Sequence, residues 1–185
     1  TPDVIIVKTR DGSRNWGVYH KILTAPAANR NLKLNLTNAE AAESTFWANT
    51  APTSSVITIA QNASVNFQGH NYIAYCFAEK QGYSKFGSYV GNGNANGPFI
   101  YTGFKPAFFL LKKTSGADGW RLFDNKRAGY NDDNYRLAPD AADAEDTATT
   151  YLDILSNGVK IRGTAGSFNQ SGGTFIYMAF AENPF

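Results

Sequence analysis

Two glutamates could do chemistry together because they close two similar stretches of the sequence. NYIAYCFAE ends in Glu79, and TFIYMAFAE ends in Glu182. A pair of carboxylates about 5 to 9 Å apart suits glycoside hydrolysis. Equivalent residues of a repeated sequence usually do equivalent structural work, however, and each of these glutamates has a repeated lysine available to it. We therefore predict structural pairs with Lys8 and Lys112, and keep a glycan hydrolase as an alternative.

Other catalytic signatures are absent from the sequence. His20 and His70 have no spacing typical of zinc ligands, and no G-x-S-x-G nucleophile motif occurs. Cys76 is the single cysteine, so no disulfide can form within the chain. Its apolar surroundings predict a small buried side chain rather than a reactive thiol. We expect a non-enzymatic protein that needs no cofactor.

An acidic segment, NDDNYRLAPDAADAED, offers oxygen ligands that calcium could use. The weak candidate ligands are Asp132, Asp133 and Asn134. The segment lacks the spacing and the terminal glutamate of an EF-hand loop. We therefore predict a solvated surface segment, with calcium binding as the alternative.

Aromatic and amide side chains form the remaining signal. Aromatic rings stack on sugar rings, and the asparagine side chain offers both a donor and an acceptor to sugar hydroxyls. A glycan platform would use Tyr83, Tyr89, Asn92, Asn94, Asn96, Tyr101 and Tyr130. The alternative is that many of these rings lie in the core, because an all-β chain with 14% aromatic residues needs many rings inside.

Charge and hydropathy favour neither a nucleic-acid partner nor a membrane-spanning segment. The formal net charge is +2 and the basic residues are dispersed, which does not suggest a nucleic-acid partner. The longest apolar runs, such as VIIV and AFFLL, are too short to span a bilayer, so we predict no membrane insertion. A chain of 185 residues can bury one good core without disulfides or metal.

An internal repeat predicts the elements that position these residues. PDVIIVK, which starts at Pro2, matches PAFFLLK, which starts at Pro106, and both units end in Phe-Ala-Glu. We interpret this as a duplication with units 2–79 and 106–182, joined by a hairpin segment 82–104 within one domain, 1–185.

Each unit contains runs of β-branched and aromatic residues bounded by Gly, Asn and Ser, which predicts short strands. Besides the opening and closing strands, these are NWGVYH and GWRLFD, then SVITIA and GVKIR. Weak apolar periodicity in 38–47 and 139–152 favours loops or single helical turns. The predicted fold is an all-β antiparallel sandwich, whose two halves are related by an approximate two-fold axis.

The run YSKFGSY-x-GNGN-x-x-GPF-x-YTGF-x-P is specific, and W-x-V-Y-H and the closing YMAFAENPF accompany it. Over nearly the whole chain the sequence resembles a module without assigned function that recurs in virion proteins of marine bacteriophages, often in tail-fibre proteins. The resemblance implies a concanavalin A-like or laminin G-like sandwich with jelly-roll topology, a place in the virion and binding to host surface glycans. It implies no catalytic residues. The alternative is a structural role in head decoration or fibre assembly, with other virion proteins or a second copy as partner.

Overall fold

The structure is a computed structural model that describes residues 1–127, 131, 135–147 and 150–184. In the described residues, three antiparallel sheets account for nearly all regular structure. The helices are single turns: α1 (Ser44–Trp47), α2 (Gly166–Asn169) and a 3-10 turn (Ala27–Asn29). The predicted all-β class is confirmed, and the packed antiparallel sheets are consistent with a β-sandwich.

From one edge to the other, the five-stranded sheet consists of β4 (Ala41–Ala42), β3 (Arg30–Lys33), β2 (Gly17–His20), β1 (Val4–Thr9) and β5 (Tyr72–Phe77). The four-stranded sheet consists of β6 (Ser84–Val90), β12 (Thr174–Ala181), β8 (Pro106–Lys113) and β9 (Arg121–Asp124). The three-stranded sheet consists of β10 (Leu152–Leu155), β11 (Gly158–Ile161) and β7 (Phe99–Tyr101).

The four-stranded sheet is the middle layer, because side chains alternate between its two faces and both faces are buried. Leu110 and Met178 on one face pack against Val4 and Val18 of the five-stranded sheet, which forms the core shared by the two repeat units. A second core lies on the other face, against the three-stranded sheet. Its members include Phe109, Leu111, Phe175, Leu152, Val159 and Ile161.

The two repeat units pair their strands in the same way. β1 lies between β2 and β5, as β8 lies between β9 and β12. Val4 is opposite Phe77, and Phe108, which aligns with Val4 in the repeat, is opposite Phe180. This shared register is what a duplication predicts. Common origin, the two-fold relation and jelly-roll connectivity stay predictions.

The middle strand of the repeat forms in one unit only. GVKIR is confirmed as β11, which makes a two-residue hairpin with β10. The prediction of a strand for SVITIA, 55–60, was wrong. No described strand lies beside this segment, so its backbone groups cannot form a ladder, and Val56 is largely exposed. The polar segment before it contains one helical turn, α1, as expected.

Segment 82–104 is not a hairpin. Its two strands, β6 and β7, belong to different sheets, and the loop between them crosses from one sheet to the next. The reason is packing: β6 completes the middle layer beside β12, whereas Ile100 of β7 faces the second core.

The apolar stretch NYIAYCFAE is not a buried strand. β5 is the edge strand of its sheet, and Ile73 and Tyr75 are about two-fifths exposed. Cys76, predicted to be buried, is exposed. Its counterpart β12 is buried because it lies between β6 and β8, a neighbourhood that the local sequence of β5 does not encode.

Candidate functional site

A cleft of about 440 Å³ opens where several strands begin or end. β2 ends one residue before Lys21, β5 ends two residues before Glu79, and Tyr101 is the last residue of β7. The side chains that give the cleft its chemistry are Lys21, Glu79, Gln81, Ser84, Lys85 and Tyr101. The cleft therefore combines a carboxylate, two ammonium groups, an amide, a hydroxyl and an aromatic ring.

Ion pairs hold one wall of the cleft in place. The Glu79 carboxylate lies 3.0 Å from Lys21 Nζ and 2.6 Å from Lys85 Nζ. Lys21 Nζ also lies 3.2 Å from the Asp3 carboxylate, and the backbone N–H of Glu79 donates to Asp3 Oδ2 at 2.6 Å. Two carboxylates and two ammonium groups thus balance within this cluster of ion pairs.

These contacts decide the protonation of Glu79. Partial burial raises the pKa of the Glu79 carboxyl, but hydrogen bonds from Lys85 and Lys21 outweigh the burial and lower the pKa overall. An ionised carboxylate accepts hydrogen bonds from ligand hydroxyls. It does not donate a proton as the general acid of a glycosidase must, because that role needs a raised pKa.

Glu182 has its own pair of lysines. Its carboxylate lies 2.9 Å from Lys105 Nζ and 3.3 Å from Lys126 Nζ, and hydrogen bonds from these two side chains lower the pKa of the Glu182 carboxyl. Both repeated glutamates therefore form ion pairs, but with other lysines than those predicted. The predicted partner Lys8 was wrong, because its Nζ donates to the carbonyls of Thr9 and Gly12.

Lys112, the other predicted partner, is fully buried and lies far along β8 from the strand end that precedes Glu182. Its Nζ donates to three backbone carbonyls: Thr37 at 3.2 Å, Lys113 at 2.9 Å and Asp118 at 2.7 Å. Burial lowers the pKa of Lys112 to about 8. Three donors meet three acceptors, so Lys112 ties the end of the middle sheet to the segment after β3.

The predicted sugar-stacking tyrosines separate into different environments. Tyr101 is 64% exposed and lines the cleft. Tyr83 is about two-fifths exposed, lies between the lining residues Gly82 and Ser84, and packs its ring against Phe180.

Tyr89 was wrongly predicted as a ligand residue, because it belongs to the second core. It is 8% exposed, its ring stacks on Phe175, and its hydroxyl donates to the Phe168 carbonyl at 2.7 Å. Alternation along β6 turns Tyr89 towards that core.

The predicted asparagines organise the loop 91–98, in which residues 92–96 are exposed, and they do not line the cleft. Asn92 Oδ1 accepts from the Asn94 N–H at 2.9 Å, and Asn94 Oδ1 accepts from the Asn96 N–H at 2.8 Å. Asn169, which is fully buried, donates through Nδ2 to the Asn94 carbonyl. Two of the three predicted amides are thus used to shape the loop.

Several predicted residues lie outside the described part of the chain: Tyr130, Asp132, Asp133 and Asn134. Within the described ranges, no group of three or more His, Cys, Asp and Glu side chains could hold a metal ion. The described part also contains no helix that is long and apolar enough to cross a membrane.

Sequence reasoning missed Lys21, Gln81, Ser84 and Lys85. A signal for Lys85 is present, since Gly82 has a φ of +74° and closes the tight turn that brings Lys85 back beside Glu79. Lys21 has no comparable local signal, because it reaches Glu79 from a strand end that is distant in the sequence.

Comparison with known proteins adds one relation. A family model described as a domain of unknown function matches residues 1–184. No curated protein and no solved structure matches the chain.

Proposed function

The chain belongs to the DUF7483 family, and we propose that it binds carbohydrate in the cleft beside Tyr101, as a non-enzymatic module of a bacteriophage virion. In this proposal the module lies on a tail fibre or on the capsid exterior and contacts glycans of the host surface. The resemblance of the YSKFGSY-x-GNGN-x-x-GPF run to virion proteins supports a place in the virion. The side chains of the cleft support carbohydrate binding.

The observation that carries the proposal is an exposed aromatic ring beside an ordered polar wall. The Tyr101 side chain offers a face for a pyranose ring, whose C–H groups stack on aromatic surfaces. Glu79 accepts hydrogen bonds, Lys21 and Lys85 donate them, and the Gln81 amide does both. A sugar ring with alternating apolar and hydroxyl surface matches this combination.

The charge balance of the cleft selects the class of sugar. Asp3, which does not line the cleft, and Glu79 neutralise Lys21 and Lys85, so the ion-paired cluster carries no net charge. A neutral oligosaccharide fits this wall better than an acidic one, because an added anion would compete with the carboxylates for the same ammonium groups. We expect weak binding per module, which many copies on one particle would strengthen.

The test is a glycan array followed by titration of the best neutral oligosaccharide into the isolated domain. Tyr101→Ala should weaken binding at least about tenfold, because it removes the stacking surface. Phe99→Ala is the matched control: it lies on the same strand, is 47% exposed and does not line the cleft. Equal loss in both variants, or no binding to any glycan, would contradict the proposal.

The same array tests the hydrolase alternative. Wild-type protein and the variants Glu79→Gln and Glu182→Gln are incubated with each bound oligosaccharide, and newly formed reducing ends are measured. Our proposal expects none from any of the three proteins. Cleavage that disappears in one variant would assign that glutamate a catalytic role.

A second candidate function is structural, in head decoration or fibre assembly. The observation that favours it is the exposed apolar edge strand β5, since an uncovered strand is a site for contact with another chain.

A further inference from the structure

β5 is an open sheet edge that lacks the usual protection against pairing. Edge strands are normally kept apart by charged side chains, prolines, bulges or short length. β5 has six residues, Tyr72–Phe77, and contains no charged residue or proline. Its pairing with β1 is continuous over all six positions, so no bulge interrupts it.

Both faces of this edge expose apolar side chains. Ile73 and Tyr75 are exposed on one face, and Ala74 and Cys76 are exposed on the other. The corresponding edge of the other repeat unit is covered, because β6 pairs with β12 along seven positions. β5 therefore corresponds to β12, but among the described residues no strand pairs with the outer edge of β5 as β6 pairs with β12.

We propose that β5 is a docking edge for a second copy of this chain, which adds its own β5 antiparallel across a two-fold axis. Among the strands that the structure describes, the other sheet edges carry a charge or are very short: β6 has Lys85, β9 has Arg121 and Asp124, β10 has Asp153, and β4 and β7 have two and three residues. Among the described edge strands, the one that matches β5 in length, polarity and absence of charge is therefore β5 of a second copy.

The backbone permits this self-pairing. The Arg10 N–H donates to the Asn71 carbonyl, so alternate residues from Asn71 onward bond to β1, and the N–H groups of Tyr72, Ala74 and Cys76 point to the open edge. With a two-fold axis at Ala74, Ala74 of one copy lies opposite Ala74 of the other, and Tyr72 lies opposite Cys76, so the outward amides of the two strands face one another. The axis also sets Ile73 of one copy opposite Tyr75 of the other on the same face of the joined sheet.

The contact is small. A single strand pair buries on the order of a few hundred Å² per chain, below the roughly 800 Å² per partner of a standard interface. We therefore expect a weak dimer, with a dissociation constant on the order of 0.1 to 1 mM, which becomes effective where many copies are held close together.

The test is sedimentation equilibrium of the whole domain from about 10 µM to about 1 mM, under reducing conditions so that Cys76 cannot form an intermolecular disulfide. Wild-type protein should shift from monomer to dimer. Ala74→Lys should stay monomeric, because it places two ammonium groups face to face at the axis. Val56→Lys is the matched control, since it adds the same charge at an exposed apolar position outside β5, and it should dimerise like wild type.

Hydrogen exchange of the wild-type protein gives a readout that does not depend on a variant. The amides of Tyr72, Ala74 and Cys76 should become several-fold more protected at the higher concentration. Those of Ile73 and Tyr75, already bonded to β1, should not change. A monomer at about 1 mM, dimerisation that persists in Ala74→Lys, or concentration-independent exchange of the three amides would each overturn the proposal. None of these results bears on the cleft, whose residues are unaltered.

Discussion

Lowering the pH from 7 to 4 should destabilise the domain through His20. This side chain is 1% exposed, at the end of β2, and lies beside Val4, Val18 and Met178 of the shared core. Its Nδ1 accepts from the Ile22 N–H at 3.2 Å, and Nε2 lies 3.1 Å from the Tyr177 carbonyl across the core. The imidazole is therefore neutral, and Nε2–H donates to Tyr177 of the other repeat unit.

Burial lowers the pKa of His20 to about 4, from an ordinary value of 6.5. The bond to the Tyr177 carbonyl and the charge of Asp3 act in the opposite direction, and the charge of Lys21 acts with burial. Because the folded pKa is depressed, the stabilisation is complete above pH 6.5 and is lost as the pH falls towards 4. At about 1.4 kcal/mol per pKa unit, the loss is about 2 kcal/mol at pH 5 and about 3 kcal/mol at pH 4.

The assay is urea unfolding at pH 7.5, 5 and 4, on wild-type protein and on His20→Gln. The Gln amide can keep a donor towards Tyr177 but does not titrate. Carboxylates contribute equally to both proteins, so the difference in unfolding free energy between them should shrink by about 3 kcal/mol as the pH falls to 4. His70→Gln controls for removal of a histidine from a loop. A wild-type pH profile parallel to that of His20→Gln would refute the reasoning.

Two further predictions concern packing around the sheets. Gly17→Ala should lower the free energy of unfolding by about 1 to 3 kcal/mol, because the new Cβ would lie 2.7 Å from Val65 Cγ1. Gly12→Ala is the control: its new Cβ would have no atom within 4 Å, so the free energy of unfolding should change little in the same urea assay. Lys112→Met should lower the free energy of unfolding by about 2 kcal/mol or more, because three backbone carbonyls lose their donor. Lys113 is the partly exposed neighbour, and Lys113→Met should lower the free energy of unfolding by less than half as much. An equal loss of unfolding free energy in Gly17→Ala and Gly12→Ala would contradict the packing argument. An equal loss in Lys112→Met and Lys113→Met would contradict the hydrogen-bond argument.

The cleft was only partly predictable. Tyr101, Tyr83 and Tyr89 are the same residue type in similar local sequence, and their chemistry marks all three as possible stacking surfaces. Their outcomes differ because Tyr89 turns towards the second core while Tyr101 projects from an edge strand. Exposure depends on which sheet covers a face, and no local pattern carries that information.

The glutamates show the same division. Their place at matching strand ends is visible in the sequence, and so is their tendency to pair with lysine. The partners are not, because Lys21 reaches Glu79 across β1, and Lys105 lies at the start of β8 beside the end of β12. Both pairs form only once strands distant in the sequence have joined one sheet. The separation of these residues along the chain does not indicate how close their side chains lie in the fold.

By itself, the sequence determined the all-β class and most strand positions, because strand propensity and side-chain alternation act over a few residues. The tertiary structure alone decided that the layers number three, that β5 is an open edge with Cys76 exposed, and that a cleft opens beside Tyr101. Those outcomes depend on which sheet each strand joins, and that choice is made by contacts between residues far apart in the chain.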